Sequence, residues 1–205
     1  MSTDTQTLDI PKVSAYLEKH LEGFEGPLEV SKFQAGQSNP TFLLKTPSRN
    51  YVLRRKPPGV LLKSAHAVDR EFRVQKALQD TDVPVSKMHL LCEDDDVIGT
   101  SFYVMDFVPG RVFTQPQLEA LPKDQRADLY NDKIDTLAKL HSVDYQAAGL
   151  GDFGKPKGYV ERQVKRWSAQ YEASKTDEMP AMDNLMAWLA DNIPQDDSAA
   201  IAHGD

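Results

Sequence analysis

Tyr51-Val-Leu-Arg-Arg-Lys-Pro-Pro-Gly59 and, further on, Asp69-Arg-Glu71-Phe72 form the stretch whose reading decides the fold. An apolar run ends in three cations, and Lys56-Pro-Pro-Gly59 stops it, because proline cannot donate to a ladder. Strand alternation puts Val52 and Arg54 on one face and Leu53 and Arg55 on the other. One face must be buried, so one of the two arginines points inward, and a one-residue register decides which. Glu71 immediately precedes Phe72 on a predicted helix, 64–79, in which Val68, Phe72 and Leu78 roughly align. At the edge of that buried stripe Glu71 can reach a cation from the strand.

The neighbouring segments fit the same plan. Upstream, 9–21 reads as a helix with Asp9 as N-cap, Pro11 in the first turn and Val13, Tyr16, Leu17 and Leu21 on one face. Strands are expected at 28–33, 41–45 and 51–55, with turns at 35–40 and 46–50. Downstream, strands at 88–92 and 101–108 flank Glu93-Asp-Asp-Asp96, a solvated hairpin tip. After Pro109-Gly110 the pattern turns helical, at 124–141, 159–171 and 182–193, with a glycine-rich loop at 149–158. His141, Trp167 and Trp188 are expected within the core of this part. A short apolar strand at 198–202 leads into His203-Gly-Asp205. The fold class is therefore α+β with two lobes, residues 1–108 and 109–205.

Composition narrows the function classes. Of 205 residues 40% are hydrophobic and 27% charged, an ordinary globular balance. With 24 Lys and Arg against 31 Asp and Glu, the net charge of −7 lacks the basic footprint of a nucleic-acid or anionic-membrane partner. A single cysteine, Cys92, makes neither an internal disulfide nor a cysteine-based zinc site. The first residues carry no positive n-region with an apolar run and no arginine-rich transit pattern, so a cytoplasmic location is expected.

Few segments can carry chemistry. Gly36, Gln37, Ser38 and Asn39 form a small-residue turn able to aim backbone N–H groups at a phosphate. The turn is neither a P-loop nor a Gly-x-Gly-x-x-Gly loop. Met105, Asp106, Phe107 and Val108 lead out of a strand into an apolar connector whose backbone could hydrogen-bond an adenine edge. An aspartate at 205, with His203 beside it, stands where it could take a proton from a substrate hydroxyl. Each feature alone also reads as a bare hairpin turn, a solvated strand end, a surface glutamate or a plain linker. No Gly-x-Ser-x-Gly elbow supports a hydrolase.

Taken in order, Phe33-Gln-Ala-Gly-Gln-Ser-Asn-Pro-Thr41, Tyr51 to Gly59, His66-Ala-Val-Asp-Arg-Glu71, Gly99-Thr-Ser-Phe-Tyr-Val-Met-Asp106 and Tyr159-Val-Glu-Arg-Gln-Val-Lys-Arg-Trp167 carry a resemblance over nearly the whole chain. The sequence resembles the aminoglycoside phosphotransferase/choline kinase-like small-molecule kinases. Within them it looks most like the kinase-like domain of acyl-CoA dehydrogenase family members ten and eleven and their free-standing bacterial relatives. The resemblance implies a protein-kinase-like fold, with a five-stranded N-lobe and a helical C-lobe that is incomplete in this chain. It further implies ATP and Mg²⁺ as cofactors and a hydroxylated small molecule as acceptor, for which the acyl-CoA dehydrogenase link suggests a hydroxyacyl-CoA or related hydroxy acid; a homodimer is compatible with it.

By the same resemblance, Gly36 to Asn39 cover the nucleotide and Met105 to Val108 line the adenine pocket. Arg54 stands where the family's third-strand lysine contacts the α/β phosphates, and Glu71 stands as its helix partner. Asp205 is the catalytic aspartate of the His203-Gly-Asp motif. The family's metal ligands lie downstream of that motif, so none is expected within this chain, which reads as the first part of a longer enzyme. The competing expectation is a non-catalytic nucleotide- or protein-binding module on a degenerate or truncated kinase fold.

Overall fold

The computed structural model describes residues 8–33, 39–59, 66–113 and 115–204. The chain divides into two compact units, Met1–Thr136 and Leu137–Asp205.

The first unit is built on one antiparallel sheet of β1 (Glu29–Lys32), β2 (Thr41–Lys45), β3 (Asn50–Arg55), β4 (Met88–Cys92) and β5 (Phe102–Asp106), in the order β1-β2-β3-β5-β4. The β2–β3 hairpin is closed by Thr46, whose hydroxyl and amide both bond the Arg49 carbonyl, at 2.7 and 3.2 Å. That turn fixes the register, placing Thr41 opposite Arg54, and β3 in turn places Arg54 opposite Tyr103. Side chains alternate across a pleated sheet, so this row stands on one face as a unit.

Both faces of the sheet are covered. On one lies α1 (Ile10–His20), whose N-cap Asp9 accepts from the Lys12 amide at 3.2 Å. Its Val13 and Leu17 pack with Phe42, Leu44, Tyr51, Leu53, Cys92, Phe102 and Val104 into the main core. On the other lies α2 (Val68–Leu78), where Val68 and Phe72 pack on Met88, Tyr103, Leu91 and Met105. An irregularity in the β4–β5 register between Met88 and Leu90 lets Met88 face α2 while His89 turns to Tyr51, ring centroids 5.3 Å apart.

The acidic tip is not a simple turn. Asp94 caps α3 (Asp95–Ile98), bonding the Asp96 amide at 2.9 Å, and Gly99 ends it at φ 83°. An aspartate N-cap and further aspartates in the first turn suit a helix dipole, which the hairpin expectation missed.

The remaining helices are α4 (Lys123–His141), α5 (Tyr159–Ser174) and α6 (Pro180–Asp191). The division between units falls within α4, beyond the 107–110 connector where the sequence pattern changes. In the second unit α5 packs on α6, and Val164, Tyr171, Met182, Met186 and Leu189 line the groove between them. The expectation of core tryptophans fails: Trp167 is 56% exposed and Trp188 58%. Trp167 sits on the rim of the α5–α6 groove, and neither helix has a fully buried residue. His141 is also exposed, in the last turn of α4, where a helix C-terminus favours a basic group. Residues 198–202 form no strand, because among the described residues no segment pairs with them.

Candidate functional site

The sheet register and the first turns of α2 bring four sequence-distant polar residues to one point. Arg54 projects from β3 toward α2, and its Nε donates to Glu71 Oε2 at 2.8 Å. Its Nη1 donates to the Thr41 hydroxyl at 3.0 Å, and that hydroxyl donates to the Asn39 carbonyl at 3.0 Å. Asn39 Nδ2 donates to Glu71 Oε1 at 2.8 Å, which closes a ring of hydrogen bonds through Arg54, Glu71, Asn39 and Thr41. Tyr103, next to Arg54 in the cross-strand row, adds its hydroxyl to Glu71 Oε2 at 3.0 Å. Both carboxylate oxygens of Glu71 thus accept hydrogen bonds, Oε1 from Asn39 and Oε2 from Arg54 and Tyr103.

The electrostatics follow from this packing. Burial, reinforced by the Glu71 charge, pushes the Tyr103 hydroxyl well above its ordinary range, so it stays a donor. Arg54 and Glu71 remain about a third exposed at 29% and 33%, close enough to solvent to meet a ligand. Arg54 Nη2 has no hydrogen-bond partner among the described residues. A guanidinium with two donors fixed and a third available is pre-oriented for an anion such as a phosphate oxygen. Lys56 adds a second cation nearby, 3.9 Å from Asp69 on α2.

The register separates the two arginines. Arg55 lies on the α1 face, 4% exposed, with its guanidinium 5.8 Å from the Phe42 ring centroid. Burial lowers its pKa. Arg54, not Arg55, meets Glu71.

The connector is anchored at its root. The Asp106 amide donates to the Lys87 carbonyl at 2.9 Å and the Phe107 amide to the Asn50 carbonyl at 3.3 Å. The Asp106 carboxylate pairs with His89 Nε2 at 2.7 Å. Met105 packs beside Tyr103 under α2. Val108 is 65% exposed, and its amide bonds no described residue, so the first backbone donor available past the strand sits there.

Of the residues singled out in the sequence, Asn39, Arg54 and Glu71 come together, and Met105 to Val108 follow in the same unit. Gly36, Gln37, Ser38 and Asp205 lie outside the described residues. His203 is exposed in irregular backbone of the second unit. Thr41, Tyr103, His66 and His89 carry no site role in the sequence pattern alone. Thr41 and Tyr103 become visible once cross-strand partners of Arg54 are assigned; His89 gives no sequence signal. Among the described residues no three His, Cys, Asp or Glu side chains cluster to hold a metal ion. Among the described residues no helix is long and apolar enough to cross a membrane.

Comparison with known proteins identifies the family and the fold. Residues 29–205 match the phosphotransferase enzyme family, APH. The chain is 46% identical over 202 residues to acyl-CoA dehydrogenase family member 11 of Rattus norvegicus, covering 96% of this chain and 26% of that protein. It is 43% identical over 205 residues to family member 10 of Mus musculus, covering 98% and 19%. The chain therefore spans about a quarter or less of these curated relatives. A solved structure from Ralstonia eutropha, described as a candidate aminoglycoside phosphotransferase, superposes with a TM-score of 0.81 at 48% identity, over 97% of this chain and 58% of that one. The GDP complex of aminoglycoside 2'-phosphotransferase-IIIa shares the fold at 12% identity, with a TM-score of 0.55. By its sequence match over 29–205 and its protein-kinase-like fold, the chain belongs to the phosphotransferase enzyme family.

Proposed function

We propose that this chain is the nucleotide-binding part, with the start of the helical part, of an ATP-dependent phosphotransferase acting on a small-molecule hydroxyl. The observation that carries the reading is the Arg54–Glu71 pair at 2.8 Å, locked by Asn39, Thr41 and Tyr103. Phosphoryl transfer asks a protein for positioning and charge neutralisation more than for covalent chemistry. A cation fixed by a helix carboxylate supplies the first requirement.

In this reading Mg-ATP, when bound, supplies the phosphoryl group, and its metal ligands come from beyond Asp205. Arg54 aligns the α/β phosphates through its available donor, and Glu71 keeps the guanidinium from swinging away. Gly36, Gln37, Ser38 and Asn39 cover the phosphates, and the backbone from Met105 to Val108 receives the adenine. Asp205 orients the acceptor hydroxyl and accepts its proton, with His203 beside it. The kinship with acyl-CoA dehydrogenase family members favours a hydroxyacyl-CoA or related hydroxy acid as acceptor, and the chain would work in the cytoplasm.

The test uses the full-length natural protein. Arg54→Ala should weaken ATP binding by tenfold or more, since a charge-assisted hydrogen bond is worth roughly 1.5–3 kcal/mol. Asp205→Asn should abolish transfer and leave ATP affinity, read by titration calorimetry, nearly unchanged. ATP binding with no turnover on any hydroxylated acceptor would favour the alternative, a non-catalytic binding module. Unaltered ATP affinity in Arg54→Ala would remove the nucleotide site from this face.

A further inference from the structure

We infer that His66 is a positioning residue for the Arg54–Glu71 pair, acting through the side chain of Asn39. This rests on the nucleotide-site reading above for its consequence, but its geometry stands alone. His66 Nδ1 lies 2.8 Å from Asn39 Oδ1, and Asn39 Nδ2 lies 2.8 Å from Glu71 Oε1.

The direction of each bond follows from donor chemistry. A carboxylate only accepts, so the Asn39 amide must present its NH₂ to Glu71 and its oxygen to His66. The His66 Nδ1 must then carry a hydrogen, which makes the neutral ring the Nδ1–H tautomer. The chain His66→Asn39→Glu71←Arg54 is therefore polarised toward the carboxylate. Asn39 is only 4% exposed, so losing its outer partner leaves a buried carbonyl oxygen without a donor.

The backbone points the same way. His66 holds φ at 58°, a left-handed conformation that strains a residue carrying a Cβ. It does so two residues before α2 begins, where the imidazole turns back toward Asn39. Glycine tolerates this conformation without strain, and asparagine tolerates it better than most residues. Asparagine also carries an N–H donor at the δ position, the counterpart of imidazole Nδ1–H. The two substitutions therefore separate the backbone from the hydrogen bond.

The experiment compares wild type, His66→Gly and His66→Asn in the full-length protein. The readouts are hydrogen exchange of the Arg54 Nε–H and the imidazole tautomer, both by ¹⁵N NMR without nucleotide, and ATP affinity by calorimetry. Wild type should show the Nδ1–H tautomer. His66→Gly, which relieves the backbone strain but strips the donor, should speed Arg54 Nε–H exchange and weaken ATP binding on the order of threefold to tenfold. His66→Asn should restore both. Unchanged Arg54 exchange in His66→Gly, or loss not rescued by His66→Asn, overturns the relay. If exchange responds as expected while ATP affinity is also insensitive to Arg54→Ala, the relay stands and the nucleotide reading fails.

Discussion

Tyr103 shows how one hydroxyl ties stability to the site. Its ring is buried between α2 and the sheet, and its O–H donates to the carboxylate oxygen that also receives Arg54 Nε. Burial and the Glu71 charge both raise its pKa above the ordinary value near 10. The folded state therefore keeps this proton at a pH where the unfolded chain has released it. Where the native state binds more protons, stability falls as pH rises. The contribution is fully present below about pH 10 and is lost progressively above it. Tyr16, pushed up to about 12 chiefly by burial, adds to the same alkaline slope. Tyr103→Phe should lower stability at neutral pH by about 1 kcal/mol through the missing donor to Glu71. It should also flatten the decline of melting temperature above pH 10. Parallel melting curves for the two proteins across that range would show that Tyr103 keeps no proton of its own.

At the level of elements, the segments that form the sheet and α1 are legible in the sequence because local signals and tertiary context agree. Asp9 is the clearest instance: the N-cap residue, the proline in the first turn and the apolar spacing coincide, and α1 begins at Ile10. Asp9→Ala should cost about 1 kcal/mol, read as a lowered denaturant midpoint with unchanged slope. No change in midpoint would mean that the packing of Val13 and Leu17 alone holds the helix start. The choice between Arg54 and Arg55 was open for a definite reason. A turn over 46–50 pairs Thr41 with Arg55, whereas the shorter Thr46–Arg49 turn admits Asn50 to β3 and pairs Thr41 with Arg54. A one-residue slip reverses every face, and residue types alone cannot settle a one-residue turn length. Glu71, by contrast, was legible from its place beside the buried Phe72 stripe. His66 and Asn39 were not legible as partners, because their contact arises from α2 folding back over the strand. Periodicity locates the helices of the second unit but overstates their burial. Periodicity reports which side chains share a face, not whether anything covers it.

That uncovered apolar surface governs the behaviour of the chain as a whole molecule. Within the second unit, Val164, Tyr171, Met182, Met186 and Leu189 line an apolar groove where α5 meets α6 and are only half-buried. Tyr159, Trp167, Met179, Leu185 and Trp188 remain between 46% and 60% exposed along the same pair of helices. Apolar patches beyond a few hundred Å² promote association. Opposing this is a net charge of −7, which makes approaching copies repel. The two effects respond oppositely to salt. Screening shortens the range of repulsion to about 8 Å at physiological ionic strength and leaves the apolar term intact. The 205-residue chain by itself should therefore self-associate as concentration rises, and more strongly as salt is added. Sedimentation velocity on this chain should show the weight-average size increasing with both variables. Replacing Trp167 and Trp188 by serine together should suppress the increase with little loss of melting temperature, since both rings already lie mostly in solvent. A single monomeric boundary at high concentration and high salt would show that the patch is too broken up by polar neighbours to act as one surface. Association that salt weakens would assign it instead to charge pairing, for which the Lys165 and Arg166 side of α5 would be the place to look.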